Sequence, residues 1–414
     1  MFKTHVFNLS YLFSTKIIST FFAFFAQILI ARLLTTEDYG VISFYIILIN
    51  ICATLNGFGI GKFWMRRFTV EGNDAYRWIV PSVKSLLFLT IITLPIYLFI
   101  PFFSLGVSSF AISLTLLPLL LFQSIISMVV GKFQVKRDFK GLSFFEMIKN
   151  TIFMFSSFIL FFLEFNAFII SYAVLATMVL VYSIYILTSF YHSIKKSTLY
   201  REFVKKPSIQ EVLSTAWPYG IQGLLYMLYY QVDIILITLL LGATDTGFYN
   251  AAFTLISFIF IFPSLLFQVY LLPKSNSWIV HKNVIMTEFI RKNVSLYSLL
   301  IGIFIMIGFC LGSEYIIMLL YGNSFSESIS ILQILALSIP FRFVSNSLGV
   351  LYVTEKMVSL KVYIQGGGAI FNIMLNLVSI PFLGVMGAAL STVITEVIVV
   401  VLLYLYSNKV KKEM

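Results

Sequence analysis

Apolar runs of about 20 residues recur along the whole chain with only short polar stretches between them, and this feature restricts the fold more than any other. A helix rises 1.5 Å per residue, so roughly 20 apolar residues cross the ~30 Å hydrocarbon core of a bilayer. Such runs fall at 11–33, 41–62, 83–103, 109–130, 142–163, 166–188, 213–241, 247–273, 290–312, 327–352, 359–382 and 384–407. Nothing between them is long enough for a soluble domain. Of 414 residues, 60% are hydrophobic and 11% charged, whereas a soluble domain is about half apolar and a quarter charged. A soluble fold of this length has no interior large enough to hide that surface, so lipid must solvate most of the chain. The fold expected is an all-α membrane protein of about twelve transmembrane helices. The first run is longer than the apolar core of a signal peptide and reads as a retained helix.

The net charge of +11 does not indicate nucleic acid, because the basic residues are dispersed in short loops and form no soluble basic face. Their alternation suits topology instead. With the N-terminus inside, cytoplasmic loops hold Lys62, Arg66, Arg67 and Arg77, then Lys132, Lys136, Arg137 and Lys140. Further on they hold Lys274, Lys282, Arg291, Lys292, Lys356, Lys361, Lys409, Lys411 and Lys412. The opposite loops hold Arg32 and the acids Glu37, Asp38, Glu164, Asp245, Glu314 and Glu327. Both termini are thus expected in the cytoplasm. All four tryptophans, Trp64, Trp78, Trp217 and Trp278, fall near cytoplasmic ends, as an interfacial belt would. The longest polar stretch carries Lys195, Lys196, Arg201, Lys205 and Lys206 and reads as a linker. It divides the chain into an N-terminal six-helix lobe over 1–190, a basic linker over 191–212 and a C-terminal six-helix lobe over 213–414. Leu34, Asp38 and Gly40 after the first helix recur as Leu241, Asp245 and Gly247 after the seventh. Six helices per half is an even number, so the halves are expected to be parallel repeats.

Charges within the apolar runs need a reason, since each costs at least a few kcal/mol in hydrocarbon. Lys84 reads as a snorkelling lysine, and Lys16 fits the same reading. Glu146 and Lys149 stand at i, i+3 and can pair. Asp233 and Glu396 suit either a structural partner between helices or a coupling proton. Arg342, two residues after Pro340, suits a wet cavity or an anion. Asn372 and Asn376, one turn apart, suit a cavity wall or a bond to a neighbouring helix. Pro95, Pro118, Pro218, Pro263, Pro340 and Gly366 to Gly368 interrupt helices, as in transporters that bend or bind, or as ordinary membrane packing. Cys52 and Cys310 lie in apolar runs and His5, His192 and His281 are scattered, so no disulfide framework or metal site is indicated. No phosphate-binding loop, nucleophile elbow or metal motif occurs, and neither a cofactor nor an enzymatic activity is expected. The class indicated is a secondary transporter.

Several segments carry a family resemblance. Ala31-Arg-Leu-Leu-Thr-Thr-Glu-Asp-Tyr-Gly40 resembles a signature of polysaccharide-lipid flippases. Pro218-Tyr-Gly-Ile-Gln-Gly223, Gln231-Val-Asp233 and Leu241-Gly-Ala-Thr-Asp-Thr-Gly-Phe-Tyr-Asn-Ala-Ala252 are similar to the family's seventh and eighth helices. Ile331 to Ser338, Asn372-Ile-Met-Leu-Asn376, Ile380-Pro381 and Gly384 to Thr392 resemble its later helices. The series runs in order along nearly the whole chain and points to Wzx-type O-antigen or capsule repeat-unit flippases, within the multidrug/oligosaccharidyl-lipid/polysaccharide exporter superfamily. The resemblance implies two lobes around a central cavity in a bacterial inner membrane. It also implies an undecaprenyl-pyrophosphate-linked oligosaccharide as substrate, moved to the periplasmic leaflet by alternating access. Membrane lipids, a polysaccharide polymerase and a chain-length regulator are the implied partners, with H⁺ or Na⁺ as coupling ion and no nucleic acid. On that reading Arg342, Lys16 and Lys149 attract the pyrophosphate. Asp233, Glu396 and Glu146 pair with the cations or take part in coupling, and Asn372 and Asn376 line the cavity. Arg66, Arg67, Lys136 and Arg137 gather anionic headgroups or simply set topology. The competing readings are a cation-coupled drug antiporter of the same superfamily, disfavoured by the lack of an acid in the first helix, and a non-transporting scaffold of a polysaccharide assembly complex.

Overall fold

A computed structural model describes the backbone of residues 2–197 and 207–413, and the side chains of these except 2–14, 16, 149, 194–197, 269, 355 and 409–413. Residues 198–206 of the expected linker lie outside the described residues. No β-strand occurs among the described residues. In order, the helices are α1 (Phe2–Leu33), α2 (Thr36–Gly57), α3 (Ile60–Glu71), α4 (Ile79–Leu105), α5 (Ser108–Thr115), α6 (Leu117–Val135), α7 (Phe139–Ile159), α8 (Phe165–Ser197) and α9 (Ile209–Leu240). They continue as α10 (Ala243–Ser264), α11 (Leu272–Val280), α12 (Val284–Phe289), α13 (Ser295–Leu320), α14 (Ser328–Ala336), α15 (Ile339–Gly349), α16 (Glu355–Leu383) and α17 (Val385–Glu413).

Nine stretches among the described residues are long and apolar enough to cross a membrane, against the twelve expected. Fusion explains part of the difference. Thr36–Leu105 counts once, yet its 70 residues run through α2, α3 and α4 and exceed one bilayer thickness several times over. π-helical turns over Leu265–Leu271 and Ile290–Val294 also join α10 to α11 and α12 to α13, but each joined stretch answers to a single expected run. The rest is α7, which Lys140, Glu146 and Lys149 make less apolar, and α1, whose described stretch Ile17–Leu33 is apolar but shorter than a span. The chain is a multi-pass, all-helical membrane protein.

It divides into two compact units. Unit 1 holds Met1–Leu33 and Tyr45–Met227, and unit 2 holds Leu34–Phe44 and Leu228–Met414. The division falls inside α9, later than the polar linker.

Unit 1 is tied by hydrogen bonds between helices that would otherwise be smooth to each other. Asn56 Nδ2 donates to Ser124 Oγ at 2.8 Å, and Thr93 Oγ1 donates to Asn56 Oδ1 at 2.6 Å. Such bonds join helices where water is absent. Trp64 and Trp78 are packed inside rather than presented at an interface. Trp64 Nε1 donates to Ser82 Oγ at 2.9 Å, and Trp78 Nε1 donates to Glu71 Oε2 at 2.9 Å. Glu71 also takes Arg67 and Arg77, each at 3.1 Å. Arg67 lies 4.4 Å from the Trp78 ring. Their positive charge is therefore engaged within the unit.

Unit 2 gives the internal echo a physical meaning. The start of α2 crosses the start of α10, and glycine stands at the crossing on each helix. A Cβ on Gly40 would meet the Ala243 carbonyl oxygen at 1.8 Å, and one on Gly247 would meet the Thr36 carbonyl oxygen at 2.1 Å. The contact is reciprocal, each repeat's glycine facing the other's backbone, as small residues permit in membrane helices. Asn250 Nδ2 fastens the crossing, donating to Tyr39 Oη at 2.9 Å and Ser43 Oγ at 2.8 Å. Gly40→Ala and Gly247→Ala are each expected to destabilise the detergent-solubilised protein by about 1–3 kcal/mol through overpacking. Gly308→Ala, where a Cβ meets nothing within 4 Å, serves as the control and should melt as wild type. Equal melting of all three would refute the crossing.

Candidate functional site

In unit 2 the buried polar residues form two clusters, stacked as successive turns of the same helices. On α9, Tyr229 and Asp233 stand one turn apart; on α17, Thr392 and Glu396 do. Gly368, Asn372 and Asn376 run at four-residue intervals along α16. A Cβ on Gly368 would meet Val399 at 2.7 Å and the Tyr229 ring at 3.4 Å. The glycine run thus brings α16 close to both α9 and α17.

The first cluster centres on Arg342. α14 ends at Ala336 and α15 begins at Ile339, with Pro340 in its first turn, where the missing N–H costs nothing. Arg342 follows, 7% exposed, and its Nη1 donates to Glu396 Oε1 at 2.9 Å. Its Cζ lies 4.4 Å from the Tyr230 ring centroid, 5.4 Å from Tyr229 and 5.5 Å from Phe260. Guanidinium is suited to this place because it is planar, weakly hydrated and stacks on aromatic faces. The pair is monodentate: Glu396 Oε2 is buried and has no hydrogen-bond partner among the described residues.

The second cluster centres on Asp233. Asn376 Nδ2 donates to its Oδ1, while Tyr249 Oη at 2.8 Å and Thr392 Oγ1 at 2.7 Å donate to its Oδ2. Asn376 Nδ2 also donates to Asn372 Oδ1 at 3.0 Å, and Asn376 Oδ1 has no partner among the described residues. No salt bridge to Asp233 occurs among the described residues. The carboxylate is therefore held by neutral donors, and its charge is not balanced by a basic side chain there.

The structure brings Arg342 together with Glu396, and Asp233 with Asn372 and Asn376. Glu146 is exposed on α7 in unit 1, where its carbonyl accepts from Ser19 Oγ at 3.3 Å. The side chains of Lys16 and Lys149 lie outside the described residues. Tyr249 and Thr392 on Asp233, and the three rings around Arg342, are partners that a reading of charges alone overlooks. Spacing marks some of them: Tyr229 stands one turn before Asp233 and Thr392 one turn before Glu396, whereas Tyr249 carries no such cue.

A model of the family described as "Polysaccharide biosynthesis protein" matches residues 6–275, well over half of the chain. No curated protein matches the sequence. Among solved structures the chain is similar to the lipid II flippase MurJ in an inward closed conformation, with 18% identity and a TM-score of 0.71 over 96% of this chain and 87% of that one. It is also similar to an inward-facing multidrug resistance MATE family transporter of the MOP superfamily, with 15% identity and a TM-score of 0.66 over 95% of each chain. A MOP superfamily transporter from Pyrococcus furiosus shares 15% identity and a TM-score of 0.56 over 98% of this chain and 94% of that one. At such identities the likeness is one of fold. The buried polar clusters thus sit in a fold shared with these transporters, and the chain belongs to the polysaccharide biosynthesis protein family.

Proposed function

We propose that this protein is a lipid-linked oligosaccharide flippase. It moves undecaprenyl-pyrophosphate-linked O-antigen or capsule repeat units from the cytoplasmic to the periplasmic leaflet of a bacterial inner membrane by alternating access, with both termini in the cytoplasm. The observation that carries this reading is a coincidence in one chain: a polysaccharide biosynthesis family match and the fold of a structure described as a lipid II flippase.

The physics suits an anionic lipid headgroup. A pyrophosphate diester carries about two negative charges, and moving negative charge outward from a negative interior is favoured by roughly 2.3 kcal/mol per charge per 100 mV. The protein then needs to lower the barrier, and modest binding suffices. Arg342, with Lys16 and Lys149, supplies the cations. Glu396 spends only one oxygen on Arg342, so the pyrophosphate competes with it for the guanidinium. Asp233, whose charge has no basic partner among the described residues, takes the coupling ion, a proton or sodium, beside Asn372, Asn376 and Thr392. The same feature favours the second reading, a cation-coupled drug antiporter.

Complementation separates them. Expressed in a bacterium lacking its O-antigen flippase, with the cognate sugar genes supplied, the chain should restore polymerised surface polysaccharide without raising drug resistance. Raised drug resistance without polymer would transfer the assignment to the antiporter.

A further inference from the structure

A second polar site lies wholly within unit 1. A cavity of about 380 Å³ opens among α2, the start of α3, α6 and the first half of α9. It falls in the range of small-molecule sites, roughly 300–1,000 Å³. Along α6, the residues facing it are Gln123, Ile126, Ser127, Val130 and Gln134, one stripe at helical spacing. Asn50 and Thr54 of α2 face them. The side-chain amides of Asn50, Gln123 and Gln134 make no hydrogen bond to another described residue. Ser127 Oγ is covered and has no partner either. Asn50 and Gln123 fall within apolar runs, where polar side chains are kept when they line a cavity or serve a function, and their placement with Gln134 on one cavity wall gives the three amides a common use.

The chemistry of the wall narrows that use. Each amide offers donors and an acceptor side by side, the pattern that matches neighbouring hydroxyls of a sugar ring. Ile126, Val130 and Tyr219 supply an apolar surface for the ring's C–H face. Among the described residues no acid lines the cavity, which disfavours a cationic drug, and Lys62 is the one cation of its lining, too few for a pyrophosphate by itself. The walls are also held in place. Lys62 Nζ donates to Gln222 Oε1 at 3.3 Å, and Arg66 Nη1 donates to Tyr219 Oη at 3.3 Å. Gly59 has φ +68°, and a Cβ there would meet Tyr219 Cβ at 2.5 Å, so α9 closes directly over the turn into α3.

We propose that this cavity is a saccharide subsite: Gln123, Gln134 and Asn50 bind hydroxyls of a sugar in the headgroup, and Lys62 accepts an acidic substituent. The inference rests on the flippase reading and adds a place for the sugar that is separate from the charges of unit 2.

The test uses the full chain in lipid nanodiscs, with binding followed by native mass spectrometry. The probes are polyprenyl pyrophosphate alone and the same lipid bearing glucose, N-acetylglucosamine or glucuronic acid. Wild type should bind at least one glycosylated probe about tenfold more tightly than the bare carrier, the effect of a few hydrogen bonds. Gln123→Ala/Gln134→Ala and the cavity-filling Ile126→Phe should lose that gain while binding the bare carrier as before. Lys62→Ala should weaken only the glucuronic acid probe. A gain that survives both amide and filling variants, no gain with any sugar, or equal loss of both lipid types in all variants would overturn the subsite, leaving the flippase reading in place. Wild type that binds neither bare nor glycosylated carrier would overturn both.

Discussion

Replacing Arg342 with alanine should lower the stability of the protein by about 3–5 kcal/mol, the cost of leaving one partner of a buried ion pair without the other. Glu396 is 5% exposed and its ion-pair partner is Arg342, so little solvent is at hand to take over. The aromatic wall adds to the loss, because cation–π contacts at desolvated sites are worth about 2 kcal/mol. Arg342→Lys should fall between: it keeps a charge and loses the planar group that lies against Tyr230. The decisive variant is Arg342→Ala/Glu396→Gln. With both charges removed the double variant should recover most of the stability, giving a coupling energy in a double-mutant cycle, while restoring no surface polysaccharide. Melting curves of the detergent-solubilised protein and complementation read the two effects separately. A double variant that is stable and supports polymer would show that the pair serves folding alone. An Arg342→Ala protein as stable as wild type would refute the pair itself.

These partnerships show where sequence reading stops. The membrane class followed from run length, because only a helix satisfies its own backbone in lipid. The reciprocal glycines were visible as an echo of Leu34, Asp38 and Gly40 in Leu241, Asp245 and Gly247, but the crossing that explains them is a tertiary contact. Isolated charges stood out for the same reason the spans did, as costly exceptions in apolar runs. Their partners did not: Glu396 lies 54 residues from Arg342, and Asn376 lies 143 from Asp233. The count of spans was blurred where α2, α3 and α4 continue into one another and where charges dilute α7. Trp64 and Trp78 fitted an interfacial belt by position, yet their indole N–H groups found Ser82 and Glu71 inside the unit. The α6 stripe of Gln123, Ser127 and Gln134 has helical spacing, but uncharged amides stand out less than charges in an apolar run.

Asp233 offers the sharper separation of charge from structure. Asp233→Ala removes the acceptor for Asn376 Nδ2, Tyr249 Oη and Thr392 Oγ1 together. Each buried donor left unsatisfied costs about 1–3 kcal/mol, so the protein should accumulate poorly. Asp233→Asn keeps the shape. Its Oδ1 can still accept from Asn376, and its Nδ2 can donate to the hydroxyls of Tyr249 and Thr392, which turn to accept. This variant should therefore melt close to wild type while lacking the charge. If that charge takes the coupling ion, Asp233→Asn should abolish polysaccharide export despite normal insertion. Ion identity is read from wild type: stabilisation on exchanging choline chloride for sodium chloride, absent in Asp233→Asn, assigns sodium. Equal melting in both salts, with export lost in the variant, assigns a proton. Export that persists in Asp233→Asn would leave the cluster a structural knot, held by the same three donors, and would move coupling to Glu396, the other buried acid among the described residues of unit 2, whose Oε2 has no hydrogen-bond partner there.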